Sequence, residues 1–204
     1  MVLPLGQLRP ARAAVVHTAV GMRCYVAPMP TGTRGSGAPK RSARDSLCNS
    51  PDPARIFHLY DLGHQSVYRE IADAIHGDTR LTLHEQLMRF AEVTTSLKAA
   101  GRGELRGEPE VKPAWTPPSP EIWELVWHKG RKRTKTEYRM YHSEQPGDDP
   151  ELIGLRFHIK DLSDPKLIAA RQEAEMREAG SRFVNGEHAR WGHRVKPCPG
   201  CLEP

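Results

Sequence analysis

The sequence predicts an α+β fold over residues 54–184, in which helices pack on an antiparallel β-sheet. Segments in which apolar and polar residues alternate lie on both sides of two segments whose apolar residues have helical spacing. Three of the predicted strands follow one another through short polar turns, which is typical of an antiparallel meander. We therefore expect two N-terminal helices and a C-terminal helix on a sheet of about four strands.

The predicted domain opens with a strand and a short helix. Residues 55–62 (RIFHLYDL) place Ile, His and Tyr on one side of an extended chain, with Phe and Leu on the other. Ser66 is a residue type that caps helix N-termini, and Gly77 is the type that commonly follows a helix. These two residues predict a helix over 67–76.

A second helix is predicted to begin at Thr82 and to stop at Gly101. Its apolar residues share one helical face, which we expect to lie on the core; they are Leu83, Leu87, Phe90 and Leu97. Glycine, proline and charged residues dominate the sequence from there to Pro120. They predict a loop.

Three consecutive strands are predicted in the second half of the domain, at residues 122–128, 137–142 and 152–160. In the last of them, apolar side chains alternate with a basic set, so one face of the sheet is apolar and the other is polar. We expect the apolar face to meet the helices, because burial of apolar surface drives folding.

The last helix has the clearest end signals. Ser163 or Asp164 can cap its N-terminus, and Pro165 suits the first helical position. Gly180 is expected just past its last residue. The polar residues 185–204 then form what we expect to be a flexible tail.

The chain has 204 residues and a net charge of +5, and the excess of positive charge lies before the predicted domain. Residues 1–53 hold seven Arg or Lys against two Asp and are rich in Gly, Pro, Ala and Ser, so we expect a disordered basic tail. No apolar run approaches the roughly 20 residues of a membrane span. All four cysteines lie outside the domain, which therefore needs no oxidising compartment, and we expect a cytoplasmic protein.

The basic residues of the third strand are the most informative group. Arg156, His158 and Lys160 alternate with apolar side chains and so share one face, about 7 Å apart in steps. Arg139 of the preceding strand can join them. Positive charge on one surface is what binding to a phosphate backbone requires, and the pKa of histidine suits acid–base catalysis near neutral pH.

The turn between the first two of these strands adds more positive charge. Its sequence KGRKRTK has five cations in seven positions, and Lys112 precedes the first strand; the five are Lys129, Arg131, Lys132, Arg133 and Lys135. Nearby tyrosine and tryptophan side chains can stack on unpaired bases. We therefore predict RNA-binding residues in this region.

A solvated surface is the alternative interpretation of the same residues. The exposed face of an antiparallel sheet is polar in any case, and a lysine-rich hairpin keeps neighbouring strands soluble. A histidine on such a face is more often a surface residue than a catalyst. The pattern thus also fits a non-catalytic, phage-derived module that binds RNA or protein.

The order of these motifs resembles the RelE/HigB-type toxins of type II toxin–antitoxin systems, especially their phage-derived branch. In that family a helix pair leads through a loop with a lysine, here 109–112, to an aromatic-Glu-Leu strand, here 122–125. The next strand carries a Tyr-Arg pair, here 138–139, and the last ends in a lysine, here 155–160, before a basic helix. The resemblance spans residues 55–183, roughly two thirds of the chain.

The resemblance implies a RelE-like fold and an endoribonuclease that cuts mRNA, usually at the ribosome, without a metal or other cofactor. It also implies silencing by a small antitoxin of the helix-turn-helix type. His158 would be the general base, and Arg139 and Arg156 would hold the scissile phosphate. Lys160 and Lys112 would position the phosphate or donate a proton.

The C-terminal tail has a metal-binding pattern of its own. His188, His193, Cys198 and Cys201 read H-x4-H-x4-C-x2-C, and the Cys-Pro-Gly-Cys turn can present two thiolates to zinc. A structural zinc ion is therefore one interpretation. The other is a tail with spare thiols, because a single CxxC is a weak signal.

Overall fold

The structure is a computed structural model that describes residues 42, 45–51, 53–105, 109–114, 122–128, 136–145, 151–162, 164–193 and 201. Three helices and seven strands are present in this part of the chain, and the predicted α+β class is confirmed. In order, the elements are β1 (Phe57–Leu59), β2 (Asp61–Leu62), β3 (Gln65–Ser66), α1 (Val67–His76), α2 (Leu83–Gly101), β4 (Glu110–Pro113), β5 (Ile122–His128), β6 (Thr136–Gln145), β7 (Glu151–Asp161) and α3 (Pro165–Gly186).

Five strands form one sheet in the order β1-β7-β6-β5-β4, and β2 and β3 form a separate small hairpin. Strands β5 to β7 are antiparallel, as predicted, and β4 is antiparallel to β5, but β1 lies parallel to β7, with Phe57 opposite Leu152. The expected all-antiparallel sheet of about four strands is therefore wrong in direction and in number. The extra strand is β4, inside the predicted loop; its single buried residue, Val111, gives too weak an alternation to recognise.

Helix α1 has the predicted bounds, and α2 begins at Leu83, one residue later than predicted, with Thr82 as its N-cap. The Thr82 side chain accepts a hydrogen bond from the backbone of Glu85, whose carboxylate accepts one from the Thr82 backbone in return. The predicted apolar face is only half right, because Leu83 is 70% and Leu87 55% exposed. Helical spacing shows which side chains share a face, but only the C-terminal half of α2, around Leu97, reaches the core.

Helix α3 begins as predicted, with the Asp164 side chain accepting a hydrogen bond from the backbone of Lys166. The predicted stop at Gly180 is wrong, since the helix continues to Gly186. A Cβ at Gly180 would meet nothing within 4 Å, and the residue sits in ordinary helical backbone. This glycine therefore marks no terminus.

A 3-10 turn over Glu187–Gly192 follows α3, within the segment expected to be a flexible tail. Its Trp191 is buried, and the indole Nε1 donates a hydrogen bond to the carbonyl oxygen of Phe183 at 2.9 Å. Arg190 and Trp191 have left-handed backbone (φ 49° and 53°), which turns the chain back toward β1. Burial of a large aromatic ring, about 1.5–3 kcal/mol, offsets this local strain.

Helices cover both sides of the sheet. On the apolar side α1 packs on β7 and α2 contacts β1, and the Tyr138 hydroxyl of β6 donates a hydrogen bond to Asp78 at 2.9 Å. On the polar side α3 lies over β6 and β7. The expectation that the polar face is open to solvent therefore fails at β6 and β7, because α3 crosses it. None of the helices in the described ranges has the length and apolar composition needed to span a bilayer.

A short piece of the segment predicted to be a disordered tail packs on the sheet. Residues Leu47–Asn49 form a 3-10 helix, and Cys48 in it is fully buried. A buried side chain with hydrogen-bond partners fixes these residues despite their polar composition. Nearly all the rest of residues 1–53 lies outside the described part of the chain.

Candidate functional site

The four residues predicted to be catalytic lie together on the polar side of the sheet. Arg139 of β6 pairs with His158 of β7, while Arg156 and Lys160 flank His158 on the same face. We call this group with its carboxylate and amide partners the polar layer; the partners are Glu70, Glu124, Glu137, Gln172 and Glu175. Period-2 alternation was enough to predict the three residues of β7, whereas the place of Arg139 also depended on the register of β6.

Arg139 is enclosed between two carboxylates. Its guanidinium donates hydrogen bonds to Glu124 of β5 and to Glu137 two residues earlier, and its side chain is only 6% exposed. Burial opposes both charges, but the hydrogen bond between the two groups outweighs it, raising the pKa of Arg139 and lowering the pKa of Glu137. The arginine is therefore a permanent cation whose charge is already balanced.

Arg156 is held in the same way, by carboxylates from two helices. Its Nε donates to Glu175 of α3 at 2.6 Å, and its Nη1 donates to Glu70 of α1. Glu70 also accepts from the backbone N–H of Phe157 at 2.9 Å and from Arg182 of α3 at 2.7 Å. The bond to the Phe157 N–H satisfies a backbone group of β7 beyond the part of the strand that pairs with β1.

His158 stacks on Tyr141, with ring centroids 5.4 Å apart and ring planes 20° apart. Burial lowers the pKa of His158 below its ordinary value; the nearby Arg156 and Arg139 add to the effect, and Glu175 opposes it. Its Nε2 atom is buried and has no hydrogen-bond partner among the described residues. The ring is thus a neutral imidazole at pH 7 with one polar atom unused.

A cavity of about 180 Å³ lies between β7 and α3, beside His158. Lys160, Arg171 and Gln172 also line it, and the Lys160 Nζ donates a hydrogen bond to Gln172 at 2.8 Å. Burial lowers the pKa of Lys160, and Arg139 adds to the shift. Ordinary ligand pockets measure about 300–1,000 Å³, so this one has room for a phosphate group but not for a whole nucleotide.

The predicted RNA-binding residues divide into described and undescribed ones. Lys112 of β4 lies opposite Glu124, with its Nζ 3.7 Å from a carboxylate oxygen. The turn 129–135, with Lys129, Arg131, Lys132, Arg133 and Lys135, lies outside the described residues. The strand ends that it joins, His128 and Thr136, lie at the Lys160 end of β7.

The predicted zinc ligands are brought together only in part. His193 and Cys201 lie side by side, with the Cys201 Sγ 3.2 Å from Nδ1 of His193. Their third neighbour is His58 of β1, which the sequence did not reveal because 143 positions separate it from Cys201. His188 is exposed and outside this group, and Cys198 lies outside the described residues. We call His58, His193 and Cys201 the carboxy-terminal cluster.

A second group, the amino-terminal cluster, consists of Ser46, Cys48, His142 and Glu144. Glu144 accepts hydrogen bonds from the Ser46 hydroxyl and from the Leu47 backbone N–H at 2.8 Å, and it lies 3.1 Å from Nε2 of His142. Cys48 Sγ is 3.4 Å from the same nitrogen. Burial raises the pKa of the Cys48 thiol far above its ordinary value, and Glu144 adds to this. A buried neutral thiol is a poor nucleophile.

The chain matches no protein-family model, no curated protein and no solved structure.

Proposed function

We propose that the protein is a RelE/HigB-like toxin that cuts mRNA in the cytoplasm at its polar layer, without a metal ion. The observation that carries the proposal is the neutral imidazole of His158, which lines a phosphate-sized cavity and whose buried Nε2 has no hydrogen-bond partner among the described residues. Unsatisfied buried nitrogen costs about 1–3 kcal/mol of stability. A role for this nitrogen in the reaction would explain why the fold tolerates that cost.

RNA cleavage of this kind makes limited chemical demands on the protein. The RNA 2′-hydroxyl attacks the adjacent phosphorus while a base takes its proton, and the 5′-oxygen leaves with a proton from an acid. His158, neutral at working pH, is suited to the role of base. Lys160, whose pKa burial lowers, is suited to the role of acid beside it.

The increase in negative charge on the phosphate has to be stabilised by fixed cations. Arg156 is the better placed of the two arginines, because its side chain is 26% exposed while that of Arg139 is 6% exposed. Arg139 would instead position the site, because it is paired with His158 across β6 and β7. The cations of residues 129–135 would draw in the RNA backbone, and an antitoxin of the helix-turn-helix type would block the same surface.

A non-catalytic RNA- or protein-binding module is the second candidate, and a specific observation favours it. Arg139 and Arg156 each have two carboxylate partners, and the His158 Nε2 is buried. An RNA phosphate would have to displace the atoms that cover this nitrogen before it could contact it. In this candidate the polar layer only stabilises the fold, and binding falls to Lys112 and the cationic turn.

The test is induced expression of the full chain in a bacterium, with growth and mRNA integrity followed over time. The variant is His158→Gln, which keeps a polar side chain of similar size and removes the base. We expect the wild type to arrest growth and fragment mRNA, and the variant to lose at least about 100-fold in cleavage rate. Arg139→Ala is not a useful probe, because it removes the hydrogen-bonded partner of the buried Glu124 and leaves only the more distant Lys112 beside that carboxylate.

His84→Gln is the matched control, since His84 is exposed on α2, away from the polar layer. It should cut RNA as the wild type does, and circular dichroism should show both variants folded. Purified protein should cut an mRNA-like oligonucleotide in the presence of a chelator. A wild type that binds this RNA without cutting it supports the binding module, and equal cleavage by the His158→Gln variant removes His158 from the chemistry.

A further inference from the structure

The carboxy-terminal cluster lies away from the polar layer and has no part in the proposed RNA chemistry. Nδ1 of His58 lies 2.9 Å from Sγ of Cys201, and Nδ1 of His193 lies 3.2 Å from the same sulfur. One ligand atom from each of the three residues falls within 4.8 Å of the others. We propose that His58, His193 and Cys201 are three ligands of a bound zinc ion.

The hydrogen bonding of His193 sets the tautomer that metal binding requires. Its Nε2 lies 2.7 Å from the carbonyl oxygen of Leu59, which can only accept, so the proton is on Nε2. In the neutral ring Nδ1 then carries a lone pair, and this is the atom that faces the cysteine sulfur. Metal-binding histidines commonly donate their second nitrogen to a backbone carbonyl in this way.

Rigid parts of the fold hold the two histidines. His58 lies in the middle of β1, which pairs with β7, and it is 4% exposed. His193 follows a turn anchored by the buried Trp191, and the intervening Gly192 has φ +100° and packs against the backbone of Asp61. A Cβ at Gly192 would lie 2.1 Å from the Asp61 carbonyl oxygen, so this approach requires glycine.

The donor set selects the metal. Two imidazole nitrogens and one thiolate are ligands typical of zinc, whereas calcium and magnesium take oxygen ligands. Three protein ligands leave the fourth tetrahedral position to water or to a further side chain. Bound zinc would join β1 to Cys201 across 143 positions, so part of its binding free energy would become stability of the fold.

The test uses the 204-residue chain, purified in a reducing agent, and measures the amount of bound zinc per chain by elemental mass spectrometry. We expect one zinc per chain in the wild type, and removal and replacement by Co²⁺ should give the absorption of tetrahedral cobalt with a thiolate-to-metal band. Cys201→Ser should weaken zinc binding by more than about 100-fold, beyond the roughly 10–100-fold that loss of a supporting contact costs. His58→Gln should do the same.

Cys48→Ser is the matched control, because Cys48 has histidine and carboxylate neighbours but belongs to the amino-terminal cluster. It should keep the zinc stoichiometry and the cobalt spectrum of the wild type. The proposal is overturned if the wild type holds no zinc at micromolar concentration, if Cys201→Ser binds as tightly as the wild type, or if the cobalt protein lacks a thiolate band. His58→Gln is judged only after circular dichroism shows that it is folded.

Discussion

The amino-terminal and carboxy-terminal clusters each bring a cysteine sulfur close to a histidine nitrogen, yet their surroundings differ. In the first, Cys48 and His142 are fully buried and Glu144 is 7% exposed. Glu144 has a proton donor on both of its oxygens, from the Ser46 hydroxyl and the Leu47 backbone. In the second, Cys201 is only partly buried, and two imidazole nitrogens face its sulfur.

This difference shows that residue types alone do not decide what a cluster does; it depends on which of their atoms are already used. The carboxylate of the amino-terminal cluster is occupied by hydrogen bonds, and the thiol keeps its proton. That cluster can hold the Ser46–Cys48 segment on β6 without any ion. In the carboxy-terminal cluster the lone pair of His193 Nδ1 points at a sulfur that becomes a good ligand once deprotonated.

Glu144→Ala should give the largest effect. The change leaves the Ser46 hydroxyl and the Leu47 N–H without their acceptor in a buried site, and each such group costs about 1–3 kcal/mol. We therefore expect a loss of about 3 kcal/mol in the free energy of unfolding, measured with urea at pH 7 in a chelator.

Glu104→Ala is the control, because the ion pair of Glu104 with Arg102 is on the surface and should be worth less than about 1 kcal/mol. If Glu144→Ala costs no more than this control, the amino-terminal cluster does not hold the fold together. The two clusters would then contribute to stability more equally than their difference in burial suggests.

The amino-terminal cluster should also make the free energy of unfolding depend on pH. Burial opposes ionisation of Glu144, but hydrogen bonds from His142 and Ser46 and from the Leu47 backbone outweigh it and lower its pKa. A lowered folded pKa means that the unfolded state takes up the proton first as the pH falls. Stability is therefore complete above about pH 4.5, the region where an unfolded glutamate titrates, and is lost as the pH falls through the folded pKa.

Each unit by which the pKa is lowered corresponds to about 1.4 kcal/mol. Glu144→Gln should flatten the curve of unfolding free energy between pH 5 and 3, measured by urea titration at several pH values. Some slope should remain, because Arg139 also lowers the pKa of Glu137. A variant whose curve runs parallel to that of the wild type would show that Glu144 is not the group responsible.

The fold was predictable where a local signal fixes an element. Thr82 with Glu85 and Asp164 with Pro165 specify helix starts by contacts within one turn, and the structure has both. Three features were predicted wrongly: the continuation of α3 through Gly180, the exposure of Leu83 and the presence of β4. Each depends on what packs beside it in the folded chain. Whether a glycine ends a helix, or a leucine is buried, is decided by packing from other parts of the chain.

The polar layer was predictable to a similar extent. Strict alternation along β7 places Arg156, His158 and Lys160 on one face, and they lie there. The carboxylates that pair with the arginines come from α1 and α3 as well as from the sheet, and no spacing rule connects Glu70 or Glu175 to a strand. His58 was absent from the predicted zinc ligands for the same reason.

Cys201→Ser should give the smallest effect when no metal is present. Its side chain is partly exposed and its proposed role needs an ion, so in a chelator the free energy of unfolding should change by less than about 0.5 kcal/mol. Zinc at 100 times its dissociation constant should then stabilise the wild type by about 2.7 kcal/mol and the variant much less. Cys48→Ser should behave in the opposite way, with a loss of about 1–2 kcal/mol in chelator and a full response to zinc, because it introduces a buried hydroxyl in place of the thiol. If instead both serine variants lose stability equally without metal, the carboxy-terminal cluster is a hydrogen-bonded support like the amino-terminal one, and the distinction between them lies in burial alone.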